Sequence, residues 1–511
     1  EFPGLVLNDD LVGVGGASEL FWPLNEGCLV EDAGQRAEHG FGYRPMEYPS
    51  GGWNGLYPGP LQMQFMAMTN PAGSLYVAAH DPAGHMKEIE WEPVEGGIRI
   101  IYKVFTGAAT GPWSMPYDMV IGAFDGDWQD AAEIYRSWSD TNLVQSATRL
   151  EEREDLPEWI GDSPVVVTYG ATGPGHHAGP TEPNELFPFA NVIPHLDRYA
   201  EAFGTKMLNV LMQWEGTAPW SPPYVWPPLG GEEAFRDYAK GLHERGHICG
   251  LYCSGTAWTQ FSSTGPGNYD RRDDFVREGL AKEMTKGPQG EMVATVCNGD
   301  SLRHGYDFCP ASARGAEILA EEARKMQEAG VDYIQLFDQN LGAAPYFCYS
   351  PDHDHPRAPG AWETDAMREL IDRIQSTLDA GDTQVLLGCE AAAAETFVDR
   401  LPLNDLRYPM TFPFGRPVPA YAHVYHEYVN NFQGNQVSTA EWIDTDSSPH
   451  HVLLLTAYSF AAGDLMTIIL KDGGKIHWSW CCRWEEEPPE QEPIIALIRN
   501  QIGRASCRER V

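Results

Sequence analysis

Hydrophobic and polar positions follow two rhythms along this chain. Up to about residue 150 the apolar residues alternate over short runs, at 61–66, 74–79, 98–104 and 117–121. Turn signals such as Asn70-Pro71 and Asp81-Pro82 punctuate them. Period-two runs bounded by such turns predict an antiparallel β-sandwich. Between residues 127 and 138 the period lengthens, and Trp128, Ala131, Ala132, Tyr135 and Trp138 share one helical face. This predicts a linker helix, and the charged run at 151–155 reads as a solvated connector.

Beyond about residue 160 strand patterns alternate with helical ones. Residues 165–169, 207–212 and 248–252 read as the first three strands, 331–338 as the fourth and 383–390 as the fifth. Candidates for the sixth to eighth are 406–411, 420–425, and 453–458 or 465–470. Helices are predicted over 234–245, 311–329, 364–380 and 492–501, with Ser312 placed to cap the second. Eight strand–helix units predict a (β/α)8 TIM barrel. The expected organisation is therefore a β-sandwich (supersandwich) with its linker helix at 1–155 and a barrel at 156–501. Residues 502–511 resemble a translated sequencing adapter and read as a non-native tail. A doubly wound sheet is the alternative, but the glycines at 170–175 lack GxGxxG spacing and Pro174 removes a phosphate-facing N–H.

Composition narrows the partners. The chain has 511 residues and a formal net charge of -38, from 73 acidic and 35 basic residues. Such a surface repels nucleic acid and anionic membranes. No apolar run reaches the length of a membrane span. The 16 Trp and 22 Tyr suit a protein that stacks rings on sugars, although a large core also uses them. The ten Cys form no framework: Cys481 and Cys482 are adjacent, and no CxxC pair recurs at zinc spacing. Buried free thiols are expected, with no cofactor and no metal. The chain starts at Glu1, consistent with a missing leader, so location stays open between secreted or periplasmic and cytoplasmic. The oligomeric state is not readable.

Two carboxylates at strand ends, Asp338 and Glu390, are the leading candidates for chemistry. Glycoside hydrolysis needs one carboxylate to attack or stabilise an oxocarbenium-like centre and another to protonate the leaving oxygen. Asp338 ends the clearest strand, beside Gln335, Gln339 and Asn340. Glu390 follows an apolar strand and precedes four alanines, where desolvation would raise its pKa toward the working pH. Glu427 is the reserve acid/base. Tyr169, Trp214, Asn340, His353, His355 and Asp446 are candidate substrate contacts. Asp352, His353, Asp354 and His355 also have metal-ligand chemistry, but neighbours in a Pro-bounded loop rarely all point inward. No GxSxG occurs; Cys253-Ser254-Gly255 lacks its leading glycine.

Four stretches carry a family resemblance: 126–138, the strand ending at Phe337-Asp338-Gln339, the loop 348–360, and Gly388-Cys389-Glu390. On these the chain resembles the DUF6259 type of glycosidase-like proteins. In outline it is also similar to endo-α-N-acetylgalactosaminidase and α-galactosidase barrels. That resemblance implies an N-terminal supersandwich, an Asp nucleophile on the fourth strand at Asp338, and an acid/base at Glu390, 52 residues on. The lysine-bearing motif that precedes the nucleophile in many α-galactosidases is replaced by Gln335-Leu336, which leaves the sugar open. The expected activity is retaining hydrolysis of an α-linked galactoside or N-acetylgalactosaminide in an oligosaccharide, polysaccharide or glycoconjugate. The alternatives are a catalytically silent carbohydrate-binding protein and a metal-dependent hydrolase using His353 and His355.

Overall fold

The structure is a computed structural model that describes residues 5–8, 18–33, 55–71, 73–95, 97–106, 112–171, 183–212, 214–215, 226–253, 255–262, 269–292, 303–337, 340–406, 415–433, 451–471, 473–477 and 487–502. It is a mixed α/β fold with several sheets. Among the described residues no helix is long and apolar enough to cross a membrane.

Two antiparallel sheets form the first layers. One has the order Leu5–Asn8, Gly97–Val104, Lys87–Val94, Leu56–Tyr57. The other has the order Arg416–Pro417, Cys28–Glu31, Glu19–Trp22, Phe65–Thr69, Ser74–His80, Asp118–Phe124. Alternation sends Leu20, Trp22, Met66, Met68, Val77 and Ala79 from the second sheet against Ile89, Trp91, Ile98 and Ile100 of the first. The opposite face of the six-stranded sheet is buried too. There Phe21 stacks on Phe65 with ring centroids 4.7 Å apart, and Phe65 on Tyr135 at 4.7 Å. Tyr135, Ala131 and Ala132 belong to the helix Trp128–Asn142, so the predicted apolar stripe is the face that docks. Asp127 caps this helix in a capping box, accepting from Gln129 N at 2.7 Å while Asp130 accepts from Asp127 N at 2.9 Å.

The second half is built on parallel strands. Their order is Leu386–Cys389, Tyr333–Phe337, Ile248–Tyr252, Met207–Met212, Val165–Gly170, Thr467–Lys471, with Lys475–Ile476 added antiparallel. Leu403–Asp405 and Asn430–Phe432 pair in parallel beside them. Single parallel bridges link Glu390 to Asp405 and Phe432 to Leu465. One face of these strands carries Val166, Leu208, Val210, Ile248, Tyr333, Leu386, Leu403, Phe432 and Ile469. The other carries Val165, Val167, Leu211, Leu251, Ile334, Leu336, Leu387 and Ile468, and packs against helices. Those helices include Ile193–Phe203, Glu232–His243, Ala313–Glu328, Ala361–Asp379 and Gln491–Ile502. Ser312 caps Ala313–Glu328, its hydroxyl accepting from Gly315 N at 2.8 Å.

Three of the strand expectations fail, each for a local reason. Residues 420–425 form the helix Ala420–Tyr425, because Tyr421, Val424, Tyr425 and Tyr428 recur at helical spacing and pack beside Tyr135. Residues 453–458 lie within the helix His451–Ala462, whose nearly uniform apolar character hides its period, while the alternative at 465–470 falls on the strand Thr467–Lys471. In the run 61–66 Leu61 makes only an isolated antiparallel bridge to Leu24 and the continuous strand begins at Phe65, with Gln64 turned inward to the buried Glu395 carboxylate. The sixth strand lies at Leu403–Asp405, just before 406–411, of which 407–411 fall outside the described residues.

The junction between the antiparallel and parallel halves is polar and buried. Glu395 Oε1 accepts from Tyr57 OH at 2.9 Å, Gln64 Nε2 at 2.8 Å and Tyr135 OH at 2.7 Å, and Oε2 accepts from Tyr425 OH. Gln64 Oε1 in turn accepts from Lys87 Nζ at 2.7 Å, and Lys87 pairs with Asp81 at 2.8 Å. Burial pushes Asp81 up, but Lys87 and His85 outweigh it and hold the carboxyl at about 2.

A second buried acidic pair gives the fold a pH response. Asp464 has burial as its main perturbation and is pushed up to about 7, against a hydrogen bond from Gln433 Nε2 at 3.2 Å. Glu26 is raised by burial and by the Asp464 charge, although Tyr458 OH donates to it at 2.8 Å. A carboxyl whose folded value is raised holds a proton that the unfolded chain has released. Its stabilising contribution is complete below the ordinary carboxylate range and is lost as pH rises toward about 7. The slope is about 1.4 kcal/mol for each pH unit over which the group is protonated only when folded. Asp464→Asn should therefore reduce the loss of stability between pH 5 and 7, leaving the shares of the other buried carboxyls such as Glu26 and Glu395. Urea midpoints of both proteins across that range measure it, and parallel curves would refute it.

Candidate active site at the carboxyl ends of the parallel strands

Side-chain alternation decides which strand-end groups meet. Tyr252, Gln335, Glu390 and Asp405 extend the register of Ile248, Tyr333, Leu386 and Leu403, so all four share the face away from the helices. Glu390 and Asp405 are partners in a parallel bridge. They are 4% and 1% exposed. Tyr252 OH donates to Glu390 Oε2 at 3.1 Å, and Gln335 Nε2 donates to Asp405 Oδ2 at 3.4 Å. Of these, only Glu390 is a candidate on sequence grounds; Asp405 and Tyr252 are not. Tyr252 was legible as a strand end, whereas the three-residue strand holding Asp405 gives no periodic signal.

The backbone around Glu390 is tightly held. Its N–H donates to Phe337 O at 2.9 Å, and its carbonyl accepts from Gly342 N at 2.7 Å. Gly342 has φ +63, and a Cβ there would lie 2.4 Å from Gly59 O, so only glycine fits this approach. Ala343 and Ala391 also adopt left-handed backbone, with φ 64 and 59. Strain of this kind in non-glycine residues collects where the surroundings fix a functional group.

The other sequence candidates scatter. Asp338, which follows Phe337, and Asp446 lie outside the described residues. Asn340 is buried, with Oδ1 accepting from Thr256 N at 3.1 Å and Nδ2 donating to Ala344 O at 2.8 Å, so its amide holds the loop. Tyr169 lies on the helix-facing side and shares a 2.6 Å hydrogen bond with Tyr238 OH. Trp214 is fully buried and donates to Tyr252 O at 2.8 Å. Glu427 follows a helix, not a strand, and its carboxylate lies 3.2 Å from Arg149 and 3.7 Å from Arg136. The strand-end cluster thus contains Glu390 and none of the other described candidates.

His353 and His355 instead meet two cysteines. Alternation along the loop leaves Asp352 and Asp354 exposed and turns both rings inward. Cys309 Sγ lies 3.5 Å from His355 Nε2, Cys348 Sγ 3.4 Å from His353 Nδ1, and the two ring nitrogens 3.2 Å from each other. Hydrogen bonding from the Cys309 thiol, then from His353 and His355, holds the Cys348 thiol far below its usual value. Cys309 is distant in sequence, so no local spacing could reveal the group.

Solved structures share this fold at low identity. Alpha-N-acetylgalactosaminidase NagBb from Bifidobacterium bifidum superimposes with TM-score 0.64 at 14% identity, covering 96% of this chain and 73% of that one. The alpha-galactosidase TtGalA from Thermus thermophilus gives 0.54 at 15%, covering 94% and 86%. A cycloalternan-degrading enzyme from Trueperella pyogenes gives 0.50 at 13%, covering 98% and 66%. No curated protein matches the chain. A family model described as "Domain of unknown function (DUF6259)" matches residues 113–435, more than half of the sequence, and the protein belongs to that family.

Proposed function

We propose that this protein is a glycoside hydrolase that cleaves an α-linked galactoside or N-acetylgalactosaminide with retention of configuration. The observation that carries the reading is Glu390: a buried carboxyl at a strand end, held by Tyr252 OH and facing the same side as Asp405. The shared fold of enzymes titled alpha-N-acetylgalactosaminidase and alpha-galactosidase supports the substrate class. The eight parallel strand segments, joined by ladders and by the bridges at Glu390–Asp405 and Phe432–Leu465, are taken as a (β/α)8 barrel over about 156–501. The antiparallel sheets are taken as a β-sandwich over about 1–155, completed by Arg416–Pro417.

In this mechanism Asp338 attacks the anomeric carbon. Glu390 gives its proton to the departing glycosidic oxygen, then takes one from the water that releases the sugar. The first step needs Glu390 in its proton-carrying form. The Tyr252 hydroxyl fixes the rotamer from which the proton leaves. Asp405, on the neighbouring strand, accepts from Gln335 and lines the same face.

Proton NMR of fresh product from p-nitrophenyl α-galactoside and its N-acetylgalactosaminide counterpart tests the reading. The α-anomer should appear first. First appearance of the β-anomer would overturn retention. Saturable glycan binding without product would favour the silent carbohydrate-binding reading.

A further inference from the structure

We propose that Cys309, Cys348, His353 and His355 form a structural zinc site. The four ligand atoms all lie within 4.8 Å of one another. Tetrahedral zinc, with Zn–S of about 2.3 Å and Zn–N of about 2.0–2.1 Å, requires sulfur–nitrogen edges of about 3.5 Å and nitrogen–nitrogen edges of about 3.3 Å. The observed edges are 3.5 and 3.4 Å for sulfur to nitrogen and 3.2 Å between the rings. These three edges match those of a zinc tetrahedron, and all four atoms lie close enough to converge on one ion.

The remaining ring nitrogens fix the tautomers. His353 Nε2 lies 2.7 Å from Lys282 O, and His355 Nδ1 lies 2.7 Å from Pro356 O. A carbonyl only accepts, so those nitrogens carry the protons. In the neutral rings His353 Nδ1 and His355 Nε2 therefore present lone pairs to each other across 3.2 Å. Two facing acceptors repel unless a cation sits between them. Carbonyl partners on the far nitrogens are the usual outer support of metal-bound histidines. Lys286 N–H points at Cys348 Sγ from 3.4 Å, a contact that stabilises a thiolate, and Trp362 stacks on His355 at 3.8 Å.

Two thiolates and two neutral imidazoles around Zn²⁺ give a neutral unit, so partial burial costs little. The two thiol protons leave as the ion binds. All four positions are filled by protein, which makes the site structural and leaves no place for a reactive water. This argues against the metal-dependent hydrolase reading. The ion would tie the loop 344–360 to the segment between Arg303–Asp307 and Ala313–Glu328. Cys348 N–H, donating to Glu363 Oε1 at 3.1 Å, extends that tie to the next helix.

The test is elemental analysis of the intact chain together with cobalt substitution. About one zinc per chain is expected. Protein produced with Co²⁺ should show thiolate-to-cobalt charge transfer and the d–d bands of tetrahedral cobalt. Cys348→Ser and His355→Ala should each lower metal content several-fold, and a chelator should lower the melting temperature of the wild type. The wild-type cobalt spectrum decides the matter even if a variant fails to fold. Zinc content well below stoichiometry after supplementation, together with no thiolate–cobalt band, would overturn the site. A Cys309–Cys348 disulfide in metal-free isolated protein would overturn it equally.

Discussion

Glu390→Gln is expected to lower kcat on natural α-glycosides by about 10²–10⁴-fold, the usual contribution of a positioned general acid. The substitution keeps the side-chain shape and its contact with Tyr252 OH, but it has no proton of suitable acidity to give. The loss should be largest where the leaving group is a sugar alcohol. It should shrink for p-nitrophenol, which departs without protonation. The wild-type pH profile should fall on its alkaline side as the acid ionises, and this limb should vanish in the variant. Together these readouts separate proton donation from a general loss of fold. If Glu390→Gln turned over both substrates like the wild type with an unchanged alkaline limb, Glu390 would not be the acid. Asp405, its bridge partner and almost fully buried, would then be the first residue to replace.

The second large effect concerns stability. Glu395→Ala should cost about 3 kcal/mol or more, because it strands several buried donors at once. Three phenol hydroxyls and one amide converge on this carboxylate, from Tyr57, Gln64, Tyr135 and Tyr425. Burial pushes the Glu395 pKa up while the donors from Tyr425, Tyr135, Gln64 and Tyr57 pull it back, so the network makes a deeply buried acid tolerable. Glu395→Gln should cost less, since hydroxyl groups can reverse to accept from an amide. Urea denaturation of the two variants gives the comparison. A change of under about 0.5 kcal/mol for the alanine variant, typical of an uninvolved surface position, would show that the network holds nothing together.

What the sequence made legible follows from how local each signal is. The helix over Trp128–Asn142 was readable because its stripe and its cap lie within one short segment. The strands ending near Tyr252, Phe337 and Cys389 were readable because strongly apolar runs stop abruptly at polar residues. The helix Ala420–Tyr425 was misread because alternate Tyr and His among Ala imitate a strand, and only its packing against Tyr135 decides otherwise. Within the site, Glu390 stood out as the end of such a run. Asp405 did not, since its strand has three residues and depends on a neighbour for definition. The cysteine–histidine group was half visible: His353 and His355 suggested ligands, but the position of Cys309 is set by tertiary structure alone.

The strand Arg416–Pro417 has a consequence for biosynthesis. It completes the edge of a sheet whose neighbouring strand, Cys28–Glu31, lies near the start of the chain. During synthesis that edge must wait for nearly four hundred intervening residues to emerge. The first layers therefore cannot reach their final form as an independent early product, and a nascent chain carries an open, aggregation-prone strand edge until that segment emerges. Such distant pairing slows folding through the entropy of closing a long loop, so the first layers should become native only once the segment carrying Arg416–Pro417 has emerged.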